Sequence, residues 1–98
     1  MKQPKKKIKN MPLVSVITPT YNRAAFLRET IKSVLSQDYK NIEYIILDGN
    51  SSDNTKDVVS EFENKLIFDS HKNRGEQYAV NKGFRMANGE IIGVVNSD

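Results

Sequence analysis

The sequence contains no cysteine. That excludes a disulfide framework, a thiolate nucleophile and a cysteine metal site, and it fits the cytosol. No apolar run approaches the roughly eighteen residues of a membrane span. The N-terminus is basic, but the apolar run at residues 13–17 is too short for a signal-peptide core. Neither G-x-G-x-x-G nor G-x-x-x-x-G-K-[ST] occurs, and the glycines at 49, 75, 83, 89 and 93 make no phosphate-wrapping loop. A dinucleotide dehydrogenase or a P-loop enzyme is therefore not expected. A basic stripe with interleaved aromatics is also missing, so no nucleic-acid partner is expected.

What is present is a 98-residue chain, enough for one domain with a modest core. Its formal charge is +3, but Lys2, Lys5, Lys6, Lys7 and Lys9 contribute five positive charges at one end. Without those five the remainder carries −2. Residues 1–11 are expected to be a disordered basic tail, with attachment to an anionic membrane surface as the alternative.

From residue 12 onward the pattern alternates. Residues 13–18 are short, β-branched and apolar, and read as a strand that Pro19 ends. Ala24, Leu27, Ile31, Val34 and Leu35 fall at helical spacing over residues 24–37. Residues 42–47 form a second strand, in which Ile45-Ile46-Leu47 lacks polar alternation, as in a strand covered on both faces. Thr55, Val58, Val59 and Phe62 mark a short helix, and residues 66–68 a brief third strand. Val80, Gly83, Phe84 and Ala87 predict the buried stripe of a third helix, stopped by Asn88-Gly89. Residues 91–95 read as a buried fourth strand ending in a polar tip, Asn96-Ser97-Asp98. The order β-α-β-α-β-α-β with short connections predicts right-handed crossovers, a mostly parallel sheet and helices on both faces.

In such a sheet, ligands sit outside the carboxyl ends of the strands. Those ends carry residues 19–23, 48–53 and 96–98. Tyr21 can stack on a base or merely cover the sheet edge. Asp48 can accept from a base N–H or a ribose hydroxyl, or only cap a turn. Asp53 reads as a cap. Asp98 has the hard oxygen that Mg²⁺ or Mn²⁺ prefers beside phosphates. Arg74 and Lys72 can meet a diphosphate or remain solvated. His71, among polar residues with no partner in sequence, reads as a surface residue.

These residues carry a resemblance. Val14-Ser15-Val16-Ile17-Thr18-Pro19-Thr20-Tyr21-Asn22-Arg23 resembles the opening strand and loop of the family 2 glycosyltransferases. Leu35-Ser36-Gln37, then Asp48-Gly49-Asn50-Ser51-Ser52-Asp53-Asn54-Thr55, follow in order. Asn81-Lys82-Gly83 and Ala87-Asn88-Gly89-Glu90-Ile91-Ile92 lead to Asn96-Ser97-Asp98, where the family has its D-x-D-type element. The resemblance implies a Rossmann-like GT-A fold and transfer of a sugar, with inversion, from a nucleotide-diphosphate donor, usually a UDP-sugar, to an acceptor hydroxyl. It implies that Pro19, Tyr21, Asp48, Arg74 and Asn96 bind the nucleotide sugar and that Asp98 binds a divalent cation, Mg²⁺ or Mn²⁺. The Asp-Gly and Asn-Ser-Asp variants resemble a subgroup of surface-polysaccharide synthesis. Gly49 stands where many members have a second acidic residue, and Asn96 where the tip has its first.

The expected domain is residues 12–98, the nucleotide-binding half of a GT-A domain truncated after its fourth parallel strand. The catalytic base is expected beyond residue 98, so the span alone is expected to be inactive. The acceptor is expected to be a glycan or lipid-linked saccharide, and the location cytoplasmic, at the inner face of a membrane. Self-association is expected through an exposed fourth strand. Two other classes stay open: a nucleotidyltransferase-like nucleotide binder, and a non-catalytic α/β module.

Overall fold

The computed structural model describes residues 11–97; the lysine tail over residues 1–10 and Asp98 lie outside the described residues. Four strands, β1 (Val14–Thr20), β2 (Ile42–Asp48), β3 (Ile67–Ser70) and β4 (Ile91–Val94), alternate with three helices. The helices are α1 (Ala24–Leu35), α2 (Thr55–Ser60) and α3 (Glu76–Met86). All strand pairs are parallel, in the order β3-β2-β1-β4. The chain thus builds outward from β1 through β2 to β3, then returns to the other side of β1.

Two apolar clusters sandwich the sheet, as expected for helices on both faces. Tyr44 and Ile46 join Leu27, Ile31 and Val34 of α1 and Val58 of α2. Ile45 and Leu47, their neighbours on β2, join Ile17 and Ala79 of α3 on the opposite face. Burying each large aliphatic here contributes about 1.5–3 kcal/mol. The absence of polar alternation in β2 is thereby explained, because both of its faces are covered.

Four local expectations change. Pro19 does not end β1; the strand continues to Thr20, with Pro19 opposite Leu47. Ile17 O accepts from Val95 N and Thr20 O from Gly49 N, so successive residues of β1 turn their polar backbone groups to alternate sides. Pro19, in phase with Ile17, turns its donor-less nitrogen toward the β4 side, beyond the last pairing at Ile17 and Val94.

In α3 the buried positions are Ala79 and Gly83, one turn apart, while Phe84 is exposed. A residue next to a buried one lies about 100° around the helix, which carries Phe84 off the sheet.

Gly89 is not a left-handed cap, since α3 already ends at Met86. A Cβ at Gly89 would lie 2.7 Å from Leu13 O and from Ser15 N, and its N–H donates to Ser15 Oγ at 2.8 Å. Its glycine lets the lead into β4 press against β1.

The fourth strand is not buried. Ile91, Ile92, Val94 and Val95 are all exposed, and among the described strands β4 pairs with β1 alone.

Candidate functional site

The reversal of strand order at β1 opens a crevice at the carboxyl ends of β1 and β4, the usual ligand position in an open parallel sheet. A cavity of about 270 Å³ lies there. Its lining draws on every strand end: Pro19 and Thr20 at the end of β1 with Tyr21 and Arg23 after it, Gly49 after β2, His71 and Asn73 after β3, and Asn96 and Ser97 after β4. Gly75, Glu76 and Ala79 close it from the start of α3.

The β1 loop is latched to the β2 loop. Asn22 adopts φ 51°, a left-handed conformation that asparagine tolerates better than most residues. Its Oδ1 accepts from the backbone N–H of Ser52 at 2.8 Å and of Asp53 at 3.3 Å, and its own N–H donates to Ser51 Oγ at 2.8 Å. Tyr21, immediately before it, is left half-exposed at the cavity.

Asp48 is fully buried at the end of β2. Its Oδ2 accepts from Ser51 N at 3.1 Å and from Ser70 Oγ at 3.3 Å, and Ser51 Oγ donates to Oδ1. The carboxylate therefore organises the loop beneath the cavity. Gly49 follows it, and a Cβ there would come within 3.2 Å of Asn73 Cγ. Asn73 Oδ1 in turn accepts from Gly75 N at 2.9 Å. The Gly49 backbone and the Asn73 side chain thus pack closely between the β2 and β3 loops.

Two polar groups of the lining are buried. Ser97 is one. The other is Thr20 Oγ1, which has no protein partner among the described residues. Burying a hydroxyl without a partner costs about 1–3 kcal/mol, and such orphans mark places where a ligand or water bonds.

On the third wall, Asp69 meets Lys82 Nζ at 2.7 Å and His71 Nδ1 at 3.3 Å. The Lys82 hydrogen bond is the main cause holding the Asp69 carboxyl below its usual range.

Over residues 15–98 the sequence matches the family described as Glycosyl transferase family 2. The chain belongs to that family. It is similar to the GalNAc(5)-diNAcBac-PP-undecaprenol beta-1,3-glucosyltransferase of Campylobacter jejuni, 38% identical over 93 residues, which cover 90% of this chain and 30% of that protein. Its structure resembles the mannosyltransferase PcManGT of Pyrobaculum calidifontis, in complex with GDP-Man and Mn²⁺. That likeness has a TM-score of 0.78 and 33% identity, over 89% of this chain and 28% of the other. A likeness to TarS 1-349 of S. aureus in complex with UDP-GlcNAc has a TM-score of 0.77 and 31% identity, over 87% of this chain and 26% of that one. The fold is that of the GT-A nucleotide-sugar transferases. The chain spans about 30% of the length of the curated relative named above.

Of the residues singled out from sequence in this family 2 chain, Pro19, Tyr21 and Asn96 line the cavity together. Asp48 lies under it with both carboxylate oxygens engaged by loop donors. Arg74 is outside the lining, its guanidinium carbon 5.4 Å from the centroid of the Tyr78 ring. Asp98 is outside the described residues. Among the described residues, no group of three or more His, Asp or Glu side chains is arranged to hold a metal.

Sequence reading placed Thr20 and Ser97 in strand-end segments without singling them out, and missed Asn73 and His71. His71 was expected at the surface, yet its side chain is only 10% exposed and it lines the cavity. The available signal was Asp69-x-His71, two residues of like phase at the end of a strand.

Proposed function

We propose that this chain binds a nucleotide-diphosphate sugar, a UDP-sugar, with a divalent cation, and forms the donor half of an inverting transferase. Residues 12–98 are assigned to that half. The observation that carries the reading is the cavity at the β1 and β4 ends, where Tyr21, Asn96 and the unpartnered Thr20 hydroxyl converge. Its volume suits a nucleoside, and pockets of this kind combine an apolar wall with a few convergent polar groups. Pro19 and Tyr21 supply the flat apolar wall for the base. Asp48 holds the loop beneath the nucleoside, and Asn96 offers an amide to a hydroxyl. Arg74, exposed one residue before Gly75, is with Lys72 a cation of the β3–α3 loop available to the diphosphate.

The cation, Mg²⁺ or Mn²⁺, is assigned to Asp98, which follows Asn96 and Ser97 in sequence. The described residues fit this assignment to the extent that the lining is rich in hard oxygen and amide groups and has no soft ligand. When bound, the cation offsets charge on the leaving nucleoside diphosphate. The protein's own residues position the nucleoside and shield it from water. The acceptor is assigned as a glycan or lipid-linked saccharide, supported by the undecaprenol-linked substrate in the name of the Campylobacter relative. Action in the cytoplasm at the inner face of a membrane follows from that acceptor. No described helix is long and apolar enough to cross a membrane. Proton removal from the acceptor hydroxyl is assigned to no described residue, and turnover to the whole enzyme rather than to this span.

Calorimetric titration with UDP, with and without Mn²⁺, tests the reading. Binding should strengthen with Mn²⁺, and Asp98→Asn should lose that gain. A folded chain that gives no heat with millimolar UDP, GDP or dTDP overturns it.

A further inference from the structure

The wall beyond β3 carries a side chain that the reading above leaves unused. His71 continues the ladder past the end of β3, its N–H donating to Asp48 O at 2.9 Å. Its ring is held from two directions. Nδ1 lies 3.3 Å from Asp69 Oδ2, and the ring meets Tyr78 edge-on, with centroids 5.3 Å apart at 61°. Lys82 Nζ, 2.7 Å from the same Asp69 oxygen, fixes that carboxylate from α3. A ring clamped this way loses little further freedom when a ligand arrives, which is how preorganisation strengthens binding.

The polarity of the ring follows from its partner. A carboxylate only accepts, so Nδ1 carries the proton in this contact. With the proton on Nδ1, an uncharged ring presents a lone pair at Nε2. In that form the group that meets this nitrogen donates, as a hydroxyl or an N–H does. The composition of this wall agrees. Its other lining residues include the neutral Asn73 and the anionic Glu76, whereas the neighbouring cations Lys72 and Arg74 are not in the lining. Arg23, which does line the cavity, comes from the β1–α1 loop.

We propose that His71, positioned by Asp69, is a specificity-determining contact that accepts a hydrogen bond at Nε2 from the nucleoside of the donor, either a ribose hydroxyl or the ring N–H of the base. The proposal rests on the nucleotide reading of the cavity. It separates the labour of the β3–α3 loop: the wall at His71 reads the nucleoside, and the cations outside the lining are left for charge.

Two substitutions divide the ring into its halves. His71→Asn keeps an amide where Nδ1 faces Asp69 but has nothing at the Nε2 position. His71→Gln reaches the Nε2 position with a group that can accept. Titration of the full chain with UDP and Mn²⁺ at pH 8, where an ordinary imidazole is neutral, compares them, with GDP replacing UDP if UDP gives no heat. The Asn variant should bind about five- to tenfold more weakly, the worth of one hydrogen bond. The Gln variant should stay within about threefold of the parent. Equal affinity in all three proteins, or a weak Gln variant beside a tight Asn variant, overturns the assignment of His71 while leaving the nucleotide reading intact.

A ligand-side measurement is independent of how the variants fold. The unmodified chain should lose about the same factor with one of three analogues: the 2′-deoxy nucleotide, the 3′-deoxy nucleotide or the nucleotide methylated at the base ring nitrogen. The analogue that weakens identifies the donor group, and no weakening with any of them overturns the proposal. A folded chain that binds no nucleotide at all removes the cavity reading and this inference together.

Discussion

Asp53 Oδ2 accepts from the backbone N–H of Ala24 at 3.1 Å, while its Oδ1 accepts from Thr55 N at 3.0 Å. One carboxylate therefore serves the N-termini of α1 and α2, the first of them 29 residues away from it in sequence. Both ends carry unsatisfied donors and a positive partial charge. The side-chain hydrogen bond from Thr55 is the largest cause holding the Asp53 carboxyl below its usual range, with smaller help from the Ala24 and Thr55 amides. Asp53→Ala should lower stability by about 1–2 kcal/mol, the typical cost of a lost cap, measured by urea unfolding. An unchanged midpoint would show that neither helix depends on it.

Asp53, Asp69 and Tyr44 each make stability depend on pH. The folded state binds a proton on Asp53 and Asp69 less tightly than the unfolded chain does. Their contribution is complete above the unfolded carboxylate range of about 4 and is lost as pH falls through the folded values. The Asp53→Asn, Asp69→Asn double variant should show a flatter fall in Tm below about pH 4.

Tyr44 works at the other end of the scale. Burial raises its phenol, an effect its hydrogen bond to Thr18 partly offsets. Its contribution is complete below about pH 10 and is lost as pH rises past that value. Tyr44→Phe should leave the Thr18 hydroxyl, 2.8 Å from the phenol oxygen, buried without that partner. The expected cost is about 1–3 kcal/mol, part of which Thr18→Val in the same chain should recover. The alkaline loss of stability should shrink in both variants.

Gly83→Ala sets two effects against each other. Alanine in a helix gains about 1 kcal/mol over glycine. The added Cβ, however, would sit 2.7 Å from Cγ2 and 2.9 Å from Cδ1 of the fully buried Ile17. Overpacking of this kind costs about 1–3 kcal/mol, and Cγ2 is fixed close to the backbone of β1. We expect a net loss by thermal unfolding. A rise in Tm would mean that α3 can lift from the sheet without cost.

The β4 edge should make the chain associate with itself. Ile91, Ile92, Val94 and Val95 are exposed along an edge strand, the arrangement that templates further pairing. The apparent mass in size-exclusion chromatography should grow with concentration, and Ile92→Lys with Val94→Lys should suppress the growth. A parent chain that stays monomeric at high concentration removes the prediction.

The sequence by itself determined the order of strands and helices, because apolar periodicity is a local property. Uninterrupted Ile45-Ile46-Leu47 required cover on both faces, and helical spacing from Ala24 to Val34 required a face against the sheet. The place of Pro19, Tyr21 and Asn96 at one cavity followed as well, since parallel strands with short connections bring their carboxyl ends to one edge. Only the tertiary structure decided the rest. Whether Ile91 and Val94 are buried depends on what flanks β4, which its own residues do not encode. Pro19 is tolerated inside β1 because of the side to which its nitrogen turns. His71 became a cavity residue through Asp69, Lys82 and Tyr78, and Asp48 became a loop organiser through Ser51 and Ser70. Local pattern sets an element's type; exposure and partnership are properties of contacts between elements, and these exist only once the chain has folded.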